Sequence, residues 1–437
     1  MRFDEAMAAL EGLEVHGIEL GLDRIRRLLS GLGDPHKRLS SVHIAGTNGK
    51  GSTAAYIVAA LREAGCRTGL YTSPHLSRFT ERITISGQEI SEEKVADLAE
   101  RVFALIQDLG PGFKTTFFEV TTAMAFLYFA DEAVDLAVIE TGLGGRLDAT
   151  NVLMPRVSVI TNVALEHTDY LGDTVEAIAR EKGGIIKPGV EVVTGERNPG
   201  ILGVIQDICE RQGSRLIALG HDFSVSDIIL DRSDGSRRFH YSGEQHRWDH
   251  MAVGMLGNHQ VVNAAVALGT LEVLIAQGVA VDEGAVRRGL AAARWPGRME
   301  IMSHDPLVIV DGAHNPHAAA ALTTTLEKDL RYRRLILVVG ILNDKDIPAV
   351  INPLLPLADR LVLTRPRYVR GADPRTVASR IGQTGIPVSV AGTIPEAIEE
   401  ALSFCVPDDL LLITGSLYTV GEARDHLLTR ESSASWS

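Results

Sequence analysis

Short, mostly apolar runs that alternate with helical segments constrain the fold of this chain more than any other feature. Runs of this kind are typical of strands buried on both faces of a parallel sheet. In the helical stretch Ser91–Leu109, Ser91 can cap the first turn and two glutamates favour the positive end of the helix dipole. The sequence therefore predicts an α/β fold. The predicted strands are Val42–Ala45, Leu136–Ile139, Val157–Ile160, Leu307–Val310, Leu335–Val339, Leu361–Leu363 and Leu410–Ile413.

Two departures from this rhythm predict how the chain is divided. From about Phe223 to His250 polar and apolar residues alternate around the turn signal Asp234-Gly235, which indicates a small antiparallel hairpin inserted into the fold. The segment Arg294–Arg298 contains Pro and Gly and precedes a fresh series of strands, so we expect a domain boundary there. The predicted domains are residues 1–296, with a parallel sheet and the insertion, and residues 297–437, a Rossmann-like α/β domain.

The charge balance excludes several classes of partner. Among 437 residues, 43 Lys and Arg stand against 56 Asp and Glu, a net charge of −13. No overall basic face is then available for nucleic acid or for an anionic membrane, and an anionic substrate needs a local positive site. Three widely separated cysteines, the absence of a signal-peptide pattern and apolar runs too short to span a bilayer predict a cytoplasmic protein.

A glycine-rich loop between a predicted strand and a predicted helix is the strongest single motif. Such a loop turns backbone N–H groups towards phosphate oxygens, while a lysine adds a mobile charge and a hydroxyl can meet Mg²⁺. The spacing departs from the usual P-loop, because Gly51 rather than a hydroxyl follows Lys50. A turn without a ligand is the alternative, but the order of strand, lysine, hydroxyl and helix favours a nucleotide site. The loop is Gly46-Thr47-Asn48-Gly49-Lys50-Gly51-Ser52.

Glu140 follows the predicted strand Leu136–Ile139, at the edge where open α/β sheets bind their ligands. Its carboxylate could hold Mg²⁺. The residue alone favours an exposed glutamate instead, because acidic side chains are mostly solvated.

Five motifs in this order resemble folylpolyglutamate synthase and its bifunctional relative dihydrofolate synthase, of the Mur ligase superfamily. The resemblance extends over nearly the whole chain, from Gly17 to about Ser416. The motifs are Gly46–Ser52, Thr72–Leu76, Glu140–Asn151, Glu166–Asp169 and Asp311–His317.

The resemblance implies an ATP-dependent ligase that joins a carboxylate to an amine. A pteroate or folate carboxylate would take the γ-phosphoryl group, and the amino group of L-glutamate would then displace phosphate. The implied partners are small molecules, namely ATP, dihydropteroate, folates and L-glutamate, with Mg²⁺ as cofactor, and we expect a monomer. By resemblance, the catalytic residues are Lys50, His167, Lys182 and Arg298, and the nucleotide is bound by Gly46–Ser52, Asn263, Arg298, Asp311 and His314.

Metal binding is also implied only by the resemblance. Lys182 matches a family lysine that CO₂ carbamylates and that then holds a second Mg²⁺, whereas a solvated helix lysine is the alternative. Glu166 stands where many relatives have Asp before the histidine. The implied metal ligands are Ser52, Ser73, Glu140, His167 and Lys182.

Substrate contacts are assigned in the same way. The segments Gly17–Arg24 and Thr116–Glu119 resemble pteroate-contacting segments, although a phenylalanine in an apolar run is as commonly a core residue. The implied folate residues are Thr116, Phe118, Asp148 and Ala149, and the implied glutamate residues are His314 and Ser416.

Two other functions remain open from the sequence. A peptidoglycan-precursor amino-acid ligase would use the same ATP chemistry on a UDP-sugar. A P-loop nucleotide switch without ligase activity would need mobile switch loops but not His167, Lys182 or an arginine from a second domain.

Overall fold

The computed structural model describes residues 1–13, 17, 19–231 and 235–434, so Ile18 and Asp234 of the predicted motifs lie outside the described residues.

The first sheet has eight strands, and the glycine-rich loop follows its inner strand Ser41–Ala45 at the carboxyl end. The strands are β1 (Ser41–Ala45), β2 (Thr68–Tyr71), β3 (Ile83–Ile85), β4 (Gln88–Glu89), β5 (Leu136–Glu140), β6 (Val157–Ile160), β7 (Glu191–Thr194) and β8 (Leu216–Ala218).

The order of these strands is β4-β3-β2-β5-β1-β6-β7-β8, with parallel pairing from β2 to β8 and antiparallel pairing at β3 and β4. In the register of β1 with β5, Ile44 lies opposite Glu140. Because parallel strands end at the same edge of a sheet, the loop after β1 and the carboxylate at the end of β5 are neighbours.

A small antiparallel sheet follows, with the order β11-β10-β9 for β9 (Ser224–Leu230), β10 (Arg237–Ser242) and β11 (Arg247–Val253). The predicted insertion is confirmed, with one strand more than a hairpin. Arg237 and Asp329 form a buried ion pair that ties this sheet to the C-terminal part of the chain.

The third sheet contains only strands from residue 300 onward, in the order β12-β13-β17-β14-β15-β16. All its neighbours pair in parallel except β12, which is antiparallel to β13. The α/β class and the parallel C-terminal sheet are confirmed, while the boundary between residues 1–296 and 297–437 stays a prediction. The strands are β12 (Glu300–His304), β13 (Leu307–Asp311), β14 (Leu335–Gly340), β15 (Arg360–Thr364), β16 (Val388–Val390) and β17 (Leu410–Thr414).

Helices cover both faces of the two large sheets, and their buried side chains form the cores. The helices are α1 (Phe3–Gly12), α2 (Asp23–Gly31), α3 (Lys50–Glu63), α4 (Glu92–Asp108), α5 (Phe117–Asp131), α6 (Thr168–Leu171), α7 (Val175–Gly183), α8 (Pro199–Gln212), α9 (Asn258–Ala276), α10 (Glu283–Ala292), α11 (Pro316–Lys328), α12 (Ile347–Ile351), α13 (Pro374–Ile381), α14 (Ile394–Phe404) and α15 (Leu417–Ala434).

Helix α9 is the one described helix that is long and apolar enough to cross a membrane, but 78% of its apolar window is buried inside the fold. It packs against α3 and against β6 and β7 in the largest hydrophobic cluster. Its apolar character is therefore that of a core helix.

Candidate active site

The glycine-rich loop leads directly into α3, whose first residue is Lys50. Gly49 precedes the helix in the left-handed region at φ +84°, and a Cβ there would lie 2.3 Å from Oδ1 of Asn263. Any other residue here would take up a strained backbone angle and displace the Asn263 side chain. The Lys50 amine donates to the carbonyl of Gly46 at 2.9 Å, so the lysine curls over the loop where phosphate oxygens would lie.

Asn162, which follows β6, holds the loop in place and was not among the predicted residues. Its Oδ1 accepts from the backbone N–H of Asn48 at 2.9 Å, and its Nδ2 donates to the Asn48 carbonyl at 3.0 Å. The sequence signal was available, because Asn162 lies just beyond a buried parallel strand, as Glu140 does.

Helix α9 contributes a second amide pair beneath the loop. Gln260 donates from Nε2 to the hydroxyl oxygen of Ser52 at 3.3 Å, and Asn263 donates from Nδ2 to Gln260 at 3.0 Å. The Ser52 hydroxyl is therefore oriented with its own proton free to turn elsewhere. Asn263 was predicted from the sequence as a nucleotide residue, whereas Gln260 was not.

Glu140 is buried rather than solvated, with 6% of its surface exposed. Burial raises the pKa of this carboxyl, against the lowering effect of the positive charges of Lys50 and Arg298. The Lys50 amine lies 3.8 Å from Glu140, and the backbone N–H of Ser73 donates to it at 3.4 Å. These are weak contacts for a buried carboxylate, which leaves it with unused acceptor capacity towards the cleft.

Glu166 and Lys182 form a close ion pair at 2.6 Å, with the lysine side chain only 1% exposed. Burial lowers the pKa of Lys182 to about 8, although the Glu166 charge opposes this shift. Burial also acts to raise the pKa of Glu166, but the charges of Lys182 and Lys50 outweigh it and lower that pKa. The alternative prediction, that Lys182 is a solvated helix lysine, is therefore wrong.

His167 adopts a left-handed backbone conformation, φ +46°, immediately before α6. A non-glycine residue at this angle is strained, and such residues concentrate at functional sites. Its ring lines the cleft, and burial lowers its pKa, with a further contribution from Lys345.

The opposite wall of the cleft comes from the C-terminal sheet. Both carboxylate oxygens of Asp311 accept backbone N–H groups at 2.9 Å, those of Met299 and Ala313. Asp311 therefore fixes the loop that follows Arg298. Nδ1 of His314 donates to the Gly312 carbonyl at 2.8 Å, which directs Nε2 elsewhere.

A direct contact joins the loop to this wall. The amide of Asn315, which caps α11, donates to Oδ1 of Asn48 at 2.9 Å, and Asn48 donates back at 3.4 Å. The Asn48 amide also lies 3.1 Å from Nδ1 of His317. Asn48 was predicted as a nucleotide residue, but neither Asn315 nor His317 was among the predicted site residues.

One cleft thus collects the predicted nucleotide and metal residues from both large sheets, although their individual roles stay predictions. They are Gly46, Thr47, Asn48, Gly49, Lys50, Gly51, Ser52, Ser73, Glu140, His167, Lys182, Asn263, Arg298, Asp311 and His314.

Five other predicted residues do not line this cleft: Thr116, Phe118, Asp148, Ala149 and Ser416. Two of them use their hydroxyls as helix caps. Thr116 accepts from the backbone N–H of Glu119 at 3.2 Å at the start of α5, and Ser416 accepts from that of Thr419 at 3.0 Å at the start of α15. Their substrate roles are untested by this geometry.

The remaining folate residues lie close behind the cleft. Phe118 stacks on Tyr71 with ring centroids 6.0 Å apart and lies against Gly142, which lines the cleft. Asp148 is buried and accepts from the backbone N–H of Leu143 at 2.8 Å, and Ala149 follows it, also buried. The two predicted pteroate segments meet where Arg24 donates to Glu119 at 3.0 Å.

Comparison with known proteins agrees with this architecture. The sequence matches the Mur ligase middle domain over residues 44–271 and the glutamate ligase domain of Mur ligases over residues 297–417. A probable bifunctional folylpolyglutamate synthase/dihydropteroate synthase of Haloferax volcanii is 38% identical over 97% of this chain and 50% of the relative. The chain thus spans about half the length of that curated relative.

Other relatives match over their full length. The dihydrofolate synthase/folylpolyglutamate synthase of Bacillus subtilis is 35% identical over 97% of this chain and 99% of the relative. The crystal structure of Mycobacterium tuberculosis folylpolyglutamate synthase complexed with ADP and AMPPCP has 35% identity and a TM-score of 0.90, covering 97% of this chain and 99% of that one. This chain therefore belongs to the folylpolyglutamate synthase and dihydrofolate synthase family of Mur ligases.

Proposed function

We propose that this protein is an ATP-dependent ligase that adds L-glutamate to dihydropteroate and to reduced folates. The observation that carries the proposal is the cleft in which Lys50, at the start of α3, and Glu140, at the end of β5, lie with Arg298, which precedes β12 of the third sheet. The nucleotide complexes of the mycobacterial relative and the folate enzymes among the relatives support it. They favour this function over a peptidoglycan-precursor ligase and over a nucleotide switch.

The chemistry needs charge control at the γ-phosphoryl group. The acceptor carboxylate attacks phosphorus and ADP leaves; the amine of glutamate then attacks the acyl carbon and phosphate leaves. Lys50 and the N-terminal turn of α3 would hold the phosphate oxygens from one side, and Arg298 from the other. His314, with Nδ1 occupied by a carbonyl, would offer Nε2 to the incoming glutamate or to the nucleotide.

Mg²⁺ fits the donors that converge beside the loop. Glu140 is a buried carboxylate with unused acceptor capacity, and the hydroxyls of Ser52 and Ser73 flank the same space. Hard oxygen donors suit Mg²⁺, which when bound would neutralise phosphate charge. His167 would belong to a second ion. In the described part of the chain, no three His, Cys, Asp or Glu side chains are arranged so that they could hold a metal ion together, so hydroxyls and phosphates would have to complete both sites.

Carbamylation of Lys182 is part of the proposal. A carbamate forms from a neutral amine, and burial of this amine favours the neutral form. The modification would replace the Glu166–Lys182 ion pair by two adjacent anions, which is tolerable only with a cation between them. The carbamate and the second Mg²⁺ therefore depend on each other.

The carbamate can be tested directly by labelling the protein with ¹³C-bicarbonate and recording its carbon NMR spectrum with and without Mg²⁺. We expect a carbamate signal in the wild type with Mg²⁺ and none in Lys182→Ala. A wild-type protein without the signal at saturating Mg²⁺ would exclude the modification.

For the acceptor, we propose that Phe118 stacks on the pterin and that Thr116, Asp148 and Ala149 contact its polar edge. Phe118 is only half-buried and lies against Gly142 of the cleft wall, which supports a stacking role for its ring. The assigned glutamate residue Ser416, the monomeric state and the cytoplasmic location remain predictions.

The decisive experiment measures ADP release in the presence and absence of each substrate. We expect release only when a pterin acceptor and L-glutamate are both present, with dihydropteroate and tetrahydrofolate tested separately and Lys50→Ala as the inactive control. Release that is indifferent to both substrates would indicate a nucleotide switch. Activity only with a UDP-sugar peptide would indicate the peptidoglycan ligase, and no product from dihydropteroate would leave a folylpolyglutamate synthase alone.

A further inference from the structure

A second cavity, of about 480 Å³, adjoins the nucleotide cleft, which is the cleft that contains the glycine-rich loop. We call it the arginine cavity; its edge carries Arg62, Arg78, Arg294, Arg298 and Arg424. Ser73, Glu140, Arg298 and Leu417 line both this cavity and the nucleotide cleft, so the two spaces share a wall.

Two of the five arginines have their charge matched by a carboxylate. Arg78 pairs with Glu89 at 2.6 Å, and Arg424 pairs with Glu300 at 3.0 Å.

The other three arginines are not matched in this way. In the part of the chain that the structure describes, Arg62, Arg294 and Arg298 form no ion pair, and Arg294 donates only to the backbone carbonyls of Ala291 and Ala293, at 2.9 and 2.8 Å. Glu81, Glu89 and Glu140 also line the cavity, so five arginines stand against three glutamates. In a protein with a net charge of −13, this local excess of positive charge favours an anionic ligand.

The floor of the cavity is apolar. Small side chains of α3 and the indole of Trp295 form it, and Gly51 lies so close to Trp295 that a Cβ there would be 2.7 Å from the indole nitrogen. An apolar floor with a cationic edge suits a chain that alternates methylene groups with carboxylates.

The reaction itself creates a need for such a space. Each added glutamate lengthens the acceptor. In the next round, the terminal carboxylate of the longer acceptor must lie at the same point beside Glu140 and the phosphates. The residues added earlier must then be accommodated elsewhere, and the arginine cavity is the space that adjoins this point.

We propose that the arginine cavity binds the oligo-γ-glutamyl tail of the acceptor, with its free α-carboxylates on Arg62 and Arg294. This rests on the proposed function. Guanidinium groups pair bidentately with carboxylates, and no carboxylate of the described chain competes for these two.

Kinetics with mono- and triglutamyl forms of one reduced folate test the proposal in Arg62→Gln, Arg294→Gln and the double variant. The ratio of the triglutamyl KM to the monoglutamyl KM should rise about tenfold in the double variant, as for the loss of charge-assisted hydrogen bonds. Arg62→Lys, which keeps the charge, should recover part of the effect. Arg78→Gln is the matched control, because Glu89 already neutralises that charge, and its ratio should not change.

Binding of p-aminobenzoyl-tri-γ-glutamate without ATP, measured by calorimetry, gives a readout apart from activity. We expect weaker binding in the double variant and in raised salt. Unchanged binding and an unchanged KM ratio in an active enzyme would overturn the tail site alone. If the protein added glutamate to no pterin but still bound this probe through Arg62 and Arg294, the proposed function would be wrong while the anion site remained.

Discussion

The substitution Asn315→Ala tests whether contact between the glycine-rich loop and the C-terminal domain supports nucleotide binding. Asn315 accepts from the backbone N–H of Ala318 at 2.8 Å, which caps α11, and its amide donates to Asn48 at 2.9 Å. Alanine removes both contacts. We expect weaker ATP binding and lower turnover, because Asn48 then loses its amide partner on the C-terminal wall and keeps there only the contact with His317 at 3.1 Å.

The magnitude follows from the contacts that are lost. Loss of the cap costs about 1 kcal/mol of stability. Loss of the 2.9 Å hydrogen bond costs about 0.5–1.5 kcal/mol, and more where the Asn48 oxygen stays without a donor. Asn48 is half-buried, so water can replace part of the contact. A net effect of about 1–2 kcal/mol corresponds to about 5–30-fold in kcat/KM for ATP.

Two further variants separate the loop contact from the cap. Asn315→Asp keeps an acceptor for Ala318 but cannot donate to Asn48, so it should impair ATP use while retaining the cap. Asn198→Ala removes a cap of the same kind from α8, where Asn198 accepts from the backbone N–H of Gly200 at 2.9 Å. Asn198 does not line the cleft, so this variant should affect only stability.

The measurements are ATP affinity by calorimetry, steady-state turnover and thermal unfolding of all four proteins. One outcome would refute the reasoning: Asn315→Ala and Asn198→Ala lose similar stability, and both Asn315 variants keep kcat/KM for ATP within about twofold of wild type. A twofold change is less than the loss of one hydrogen bond would give. The contact would then be structural only, and the reasoning would be wrong.

Three other predictions concern charge. Lys50→Ala should reduce turnover by about 10²–10³ with an unchanged circular dichroism spectrum, and an unaltered rate would remove the phosphate assignment. Without Mg²⁺ and bicarbonate, where Lys182 keeps its amine, Lys182→Met should lower the melting temperature, since breaking a buried pair costs about 3–5 kcal/mol. Adding Glu166→Gln should restore part of it, and a double variant no more stable than the single one would contradict this. Burial lowers the pKa of His43 to about 3 in the folded protein, whereas an unfolded histidine has a pKa of about 6.5. Between these two pH values the imidazole is protonated in the unfolded chain but not in the folded one, which favours unfolding. Stability should therefore fall from about pH 6.5 towards about pH 3, less steeply in His43→Gln, as thermal melts across this range can measure.

The strands and the loop could be predicted because their signals are local. A run such as Val157–Ile160 is apolar over consecutive residues, and the structure has a strand with those bounds. The edge strand Val388–Val390 was missed, since its valines are exposed and it has no buried pattern to detect.

The missing parts of the candidate site are contacts between distant residues. Asn48 and Asn315 are 267 positions apart, and no pattern in either segment indicates their pairing. Hydroxyls raise a different difficulty, because a threonine or serine before a helix can cap it or bind a ligand. Thr116 and Ser416 both cap helices in the structure, which the sequence alone could not distinguish from a substrate contact.

The walls of the nucleotide cleft belong to sheets that are far apart in the chain, and this affects how long the protein would survive in a cell. A ligand that contacts both walls links them, so the opening movements that expose backbone to proteases become rarer while it is bound. At a ligand concentration of about 100 times Kd the gain is about 2.7 kcal/mol, roughly a hundredfold fewer open molecules. The abundance of this protein would then follow the supply of its nucleotide, even where the rate of its synthesis stays constant.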